Sequence, residues 1–214
     1  MLIEDIINKI RRQSRTKKLN QFLNFLKPSS TDTILEVGVE DMEYSPASNF
    51  LVKNYPYRHN ITALGIGELS KFRKTYPDVS IVSYDGRTFP FRKNQFDIAH
   101  SNAVIEHVGP FEAQEMFLKE IVRVSNRGMI TTPNKYFPVE IHTKIPLLHW
   151  TEKKKFDRFL RWIGKDWATD NYMHLLGEND LRLLTKSIGL TNYRIIKNRF
   201  LGFVMTFSLI WFNE

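Results

Sequence analysis

Between Thr33 and Thr132 the chain alternates short apolar runs with segments long enough for helices, and no other feature limits its fold so sharply. The runs are Thr33–Val39 (TILEVGV), Ile61–Ile66 (ITALGI), Val79–Tyr84 (VSIVSY), Phe96–Ser101 (FDIAHS) and Gly128–Thr132 (GMITT). They are rich in β-branched residues and apolar on successive positions, the pattern of strands buried on both faces of a parallel sheet. The intervening Phe111–Val124 reads as a helix: Pro110 suits a first turn, and Ala113, Phe117, Ile121 and Val124 make one stripe. Strand and helix in alternation predict an α/β protein with a doubly wound, mostly parallel sheet.

The flanks differ in kind. Ile3, Ile6, Ile7 and Ile10, then Leu19, Phe22, Leu23 and Leu26, recur at helical spacing, with Arg11, Arg12, Arg15, Lys17 and Lys18 between them. Residues 1–30 are therefore expected to be a basic helical extension of a single domain, ended by Pro28. Residues 133–173 hold three prolines and three of the four tryptophans, and are expected to form an irregular insertion. Asn179 is the expected N-cap of a helix over Asp180–Ile188 with Gly189 as its C′ residue. Two β-rich runs, Thr191–Lys197 and Phe203–Phe212, close the chain around Gly202.

Charge follows the same division. The net charge is +8, yet residues 28–150 carry thirteen bases and fourteen acids. The excess lies in residues 1–27, with seven bases and two acids, and in residues 151–199, with eleven and six. Basic flanks suit an anionic partner. The absence of cysteine excludes a disulfide scaffold, Cys-ligated metal sites and thiolate catalysis, and fits a reducing, cytoplasmic location. No apolar run approaches the ~20 residues that span a bilayer.

In an open α/β sheet the ligand sits beyond the carboxyl ends of the strands. Gly38 stands at the end of the first run, between Glu36 and Glu40; Gly65, Gly67 and Glu68 at the end of the second; Asp85 and Gly86 after the third; Ser101 and Asn102, then Glu106 and His107, at the end of the fourth. Glycine lets the backbone approach a ligand closely, and acids accept hydrogen bonds from ribose hydroxyls or an adenine amine. These strand ends together make a nucleoside cradle.

The order ILEVGV, LGIGELS, SYDGRTFPF and FDIAHSNAVIEHV resembles the class I S-adenosylmethionine-dependent methyltransferases, in particular the type 11 small-molecule group, over about Thr31–Pro133. The resemblance implies a Rossmann-like, seven-stranded sheet whose last strand runs antiparallel, and S-adenosylmethionine as cofactor. It implies cofactor-binding roles for Glu36, Gly38, Glu68, Asp85, Gly86, Ser101 and Asn102, with Glu36, Ser101 and Asn102 toward the methionine part and Asp85 at the adenine amine. It also implies that residues 133–173 build the acceptor site. Two positions depart from the family pattern: Glu40 replaces a second glycine, and Gly67 stands where an acid is expected, with Glu68 next.

Methyl transfer from a sulfonium needs positioning above all, plus a base where the acceptor is a hydroxyl or an amine. His142 and His107 are the expected bases, with His149 a further candidate and Glu106 and Glu140 weaker ones; His59, His100 and His174 read as surface or core histidines. Asp97 reads as a structural contact. Glu140, His142 and His149 match no metal-ligand spacing, so no metal is expected. The expected activity is methyl transfer to a small-molecule, sugar or lipid-linked acceptor. A non-catalytic relative, motivated by Glu40 and Gly67, and a nucleic-acid methyltransferase are the alternatives. Ser101-Asn102-Ala103-Val104 lacks the Asn/Asp-Pro-Pro-aromatic motif of nucleic-acid N-methylating enzymes. An anionic membrane surface is the further expected partner: the basic N-terminal helix, or Lys153-Lys154-Lys155 with Trp150, Phe156 and Trp162, would contact it. The apolar run Phe200–Phe212 is expected to be sheet rather than a membrane-facing hairpin.

Overall fold

The computed structural model describes residues 2–139, 145, 147, 150–169 and 173–213. Seven strands form one sheet in the order β3-β2-β1-β4-β5-β7-β6. They are β1 Ile34–Val37, β2 Ile61–Ile66, β3 Ser80–Tyr84, β4 Phe96–Asn102, β5 Ser125–Pro133, β6 Tyr193–Phe200 and β7 Phe203–Phe212. The helices are α1 Leu2–Gln21, α2 Phe50–Asn54, α3 Ser70–Thr75, α4 Phe111–Arg123, α5 Lys153–Trp162 and α6 Glu178–Ser187. By contacts the chain groups into two compact units, residues 1–101, 121–129 and 212–214 in the first, residues 102–120 and 130–211 in the second.

In the first unit β1 pairs in parallel with β2 and with β4, and β2 with β3. All four β1 residues are buried, as a strand covered on both faces requires. The strand order reverses at β1, so the ends of β1 and β4 mark the topological switch point. Register carries the strand ends to one edge: Val37 stands opposite Leu64 and Ser101, and Ile66 opposite Tyr84.

The N-terminal segment departs from the regular helix expected of it. Phe22–Leu26 is a π-helical turn, closed by Lys27 at φ 46°. The wider turn sets Phe22 and Leu26 in the core, while Leu23 and Phe25 face outward. Phe22 meets the rings of Tyr55 and His100 edge-on at 6.4 and 5.3 Å. Arg127 ties the following loop down, donating to the Leu26 carbonyl and to Asp32 Oδ2 (2.7 Å).

In the second unit β6 and β7 pair antiparallel around the two-residue turn Leu201–Gly202, both at positive φ. Phe207, Leu209, Ile210 and Trp211 are buried, so the apolar C-terminal run is sheet, as expected. Helix α6 starts earlier than the sequence predicts. Gly177, not Asn179, is its N-cap, because the Asp180 carboxylate accepts from the Gly177 N–H (2.8 Å) and draws Glu178 and Asn179 into the first turn. Gly189 takes the expected left-handed turn beyond the helix (φ 70°).

Candidate active site

The first unit presents three strand ends that carry a glycine, an acid or both along one edge. Gly38 leaves β1 at φ 88° and donates its N–H to the Leu64 carbonyl (2.8 Å). A side chain at this φ is strained, which is why glycine stands there. The positive φ falls at Gly38 and not at residue 40, so Glu40 carries none of the backbone strain its replacement of a glycine suggested.

The acids after β1 are engaged by the protein itself. Glu36, buried in β1, accepts from or shares a proton with His100 Nδ1 at 2.5 Å across the β1–β4 pairing. Glu40 Oε2 accepts from Ser48 Oγ (2.5 Å), and its backbone exchanges two bonds with the Asn49 side chain. Asp41 Oδ1 accepts from the Lys71 and Phe72 N–H groups at the start of α3 (2.8 and 3.1 Å). Glu43 pairs with Lys53 (2.7 Å) and accepts from the Tyr76 hydroxyl. Burial alone would raise the Glu43 pKa, but the bonds from Lys53 and Tyr76 outweigh it and leave the carboxyl below its ordinary value. Burial and the Glu43 carboxylate push the Tyr76 hydroxyl up. These bonds pin the 38–49 loop. The roles of Asp41, Glu43 and Asn49 were invisible in the sequence, since their partners lie on other elements or depend on the loop's turn.

After β2, Gly67 turns at φ 76° and Glu68 is exposed; the Gly67 carbonyl accepts from Ser83 Oγ (2.9 Å). After β3, Asp85 is exposed and one carboxylate oxygen accepts from the Arg87 N–H (2.9 Å), with Gly86 following at φ 82°. Ile66, 68% exposed, lies against Gly86: a Cβ there would meet Ile66 Cδ1 at 3.3 Å. Ser101 is buried and donates to the Val37 carbonyl (3.1 Å). Asp97 makes the structural contact expected of it, accepting from Thr33 N (2.9 Å) and Thr33 Oγ1 (2.8 Å).

The second unit holds the remaining candidates. Asn102 Oδ1 accepts from Thr131 Oγ1 (2.6 Å), and the next residue, Ala103, turns at φ 61°. His107 ends a short 3₁₀ turn, Ile105–His107, and is half-buried. Glu106 is fully buried; its carboxylate accepts from Thr132 Oγ1 (3.1 Å), and its backbone carbonyl accepts from the His174 N–H (2.7 Å). That burial makes it a strut of the loop. His142, together with Glu140 and His149, lies outside the described residues. Among the described residues no cluster of His, Asp and Glu is arranged to hold a metal. His59 is exposed and His100 buried.

The edge of the first unit fits S-adenosylmethionine on its own chemistry. Three positive-φ glycines open successive strand ends, an exposed aliphatic side chain offers a face for a purine, and the exposed carboxylates of Glu68 and Asp85 accept from hydroxyl and amine donors.

Residues 50–130 match the family model of the methyltransferase domain. No curated protein matches the sequence. Among solved structures, a SAM-dependent methyltransferase from Aquifex aeolicus aligns with a TM-score of 0.60 at 14% identity, covering 97% of this chain and 96% of its own. Magnesium protoporphyrin IX methyltransferase from Synechocystis PCC 6803 with bound SAH aligns at 0.59 and 12% identity, covering 97% and 86%. A SAM-dependent methyltransferase from Methanosarcina mazei aligns at 0.56 and 15% identity, covering 87% and 94%. Residues 50–130 are thus similar to the methyltransferase domain, and the fold of the chain is that of S-adenosylmethionine-dependent methyltransferase structures.

Proposed function

We propose that the chain methylates a small-molecule or lipid-linked acceptor, with the edge formed by Gly38, Ile66, Glu68, Asp85 and Gly86 as its cofactor cradle. The observation that carries the cradle is the run of positive-φ glycines at adjacent strand ends beside one exposed aliphatic side chain. When bound, the sulfonium supplies an activated methyl group. The chain's own part is placement. Gly38 keeps the backbone clear of a Cβ at the switch point, Ile66 offers an apolar face, and Glu68 and Asp85 accept hydrogen bonds that fix a nucleoside in one orientation. The pinning of Glu40 to Ser48 and Asn49 supports cofactor binding despite the lost glycine.

We assign the proton-accepting role to His107 or His142. Replacing each with Gln and comparing kcat separates them: the base loses about 10²–10⁴-fold and the other histidine little. The cradle itself is tested by titration calorimetry with the demethylated cofactor. Saturable heat that falls at least tenfold in affinity in Asp85→Ala supports it; no heat from a folded chain overturns it.

A further inference from the structure

We infer that helix α5 docks the protein on an anionic phospholipid surface, with Trp162 as the anchor and the surrounding bases as the electrostatic contact. The helix reads KKKFDRFLRW, five bases to one acid. Its two faces are distinct. Phe156 and Leu160 are buried in a cluster with Ala168 and Met173, and Asp157 is buried too. Lys154, Lys155, Arg158 and Arg161 are exposed, so the charge that faces outward is basic. Phe156 thus belongs to the core, which corrects the expectation that it joins the lipid-facing set.

Trp162 adds an apolar anchor to this basic face. It is 80% exposed at the end of α5, beside Ile163, itself on the surface. Its ring is propped on Phe159, centroids 5.7 Å apart. A soluble surface gains nothing from holding an indole in water, whereas the headgroup region of a bilayer accepts its apolar body and its N–H together. Leu147 and Trp150, also exposed, precede the helix. The apolar face of α5 is already spent on the protein's own core, so contact is shallow and depends on charge. Lys155 faces Glu152 at 3.5 Å, a solvated pair too weak to neutralise it. Single-stranded nucleic acid would need a row of stacking platforms. On α5 itself only Trp162 presents an exposed indole, propped on a half-buried phenyl ring, which favours lipid.

The reading makes the acceptor lipid-linked, and that consequence alone rests on the proposed methyl transfer. The test is flotation of the full chain with vesicles of phosphatidylcholine alone, or of phosphatidylcholine and phosphatidylglycerol at three to one, without cofactor. Binding is expected only to the anionic vesicles, with a blue shift in tryptophan emission. It should fall about fivefold per base removed, and therefore at least tenfold in Lys154→Glu/Arg158→Glu. It should fall several-fold in Trp162→Ala and be retained in Lys154→Arg, with unchanged thermal melts. Three flotation results overturn the inference: no flotation at physiological salt, flotation unchanged in both α5 variants, or flotation abolished by Lys9→Glu/Arg12→Glu in α1 alone. Displacement of vesicles by a single-stranded oligonucleotide at lower concentration than phosphatidylglycerol also overturns it. Because flotation needs no turnover, vesicle binding without methyl transfer sinks the functional reading alone, and methyl transfer without vesicle binding sinks this one alone.

Discussion

Glu36 and His100 illustrate how one pair of side chains can hold a switch point together. They stand opposite each other in the β1–β4 register, both buried, 2.5 Å apart, with Phe22 edge-on to the imidazole. Removing one partner of such a pair leaves a polar group buried without compensation. His100→Leu is therefore expected to cost about 3 kcal/mol in urea denaturation. The double variant Glu36→Leu/His100→Leu is expected to be less destabilised than the two single effects added, by at least ~1 kcal/mol; strict additivity would show that the two side chains do not interact. Gly38 acts through the backbone. Gly38→Ala forces an L-residue to φ 88°, so stability should drop by about 1–2 kcal/mol and affinity for the demethylated cofactor should fall with it. A variant that matches the parent in both measurements would remove the reason given for the glycine.

At the scale of elements, two fastenings join pieces far apart in sequence. The first is Asp97 at the start of β4, bonded to Thr33 just before β1. Burial works to raise this carboxyl, but the Thr33 N–H and hydroxyl, with the Arg127 charge, prevail and hold it below its ordinary value. A group lowered in the folded state stabilises the fold above its unfolded pKa, near ~3.9, and loses that contribution as pH falls through the folded value. Thermal melts between pH 5 and 3 should therefore fall more steeply for the parent than for Asp97→Asn, and identical slopes would refute the assignment. The second is the π-helical turn after α1, which delivers Phe22 to the core. Phe22→Ala should cost about 3–5 kcal/mol by denaturation, far more than Phe25→Ala, whose ring is partly exposed one turn away.

For the whole molecule, the cofactor reading has a thermodynamic consequence. A ligand present at a hundred times its Kd stabilises the folded state by about 2.7 kcal/mol. For a chain of this length that is a rise of about 5–10 °C in Tm. Differential scanning fluorimetry with the demethylated cofactor should show it, and NAD at the same ratio should not. A chain that melts at the same temperature with and without the compound would put the non-catalytic relative ahead of the enzyme.

The strands of the first unit were legible because burial on both faces leaves an apolar run that needs no partner to be recognised. Ile61–Ile66 and Phe203–Phe212 were placed to the residue, and the other strands shifted by at most three residues at either end. The glycines at 38, 67 and 86 were legible too, since their φ values are a local demand. Side-chain partnerships were not. Glu36 meets His100 from 64 positions away, Asp41 caps α3 from 30, and Glu43 reaches Tyr76 from 33. A hydrogen bond depends on distance in space, and only the crossover connections of the sheet set those distances. Phe156 and Trp162 make the same point. Both are aromatic residues on one short basic helix, and the helix's packing alone sends one into the core and leaves the other in solvent.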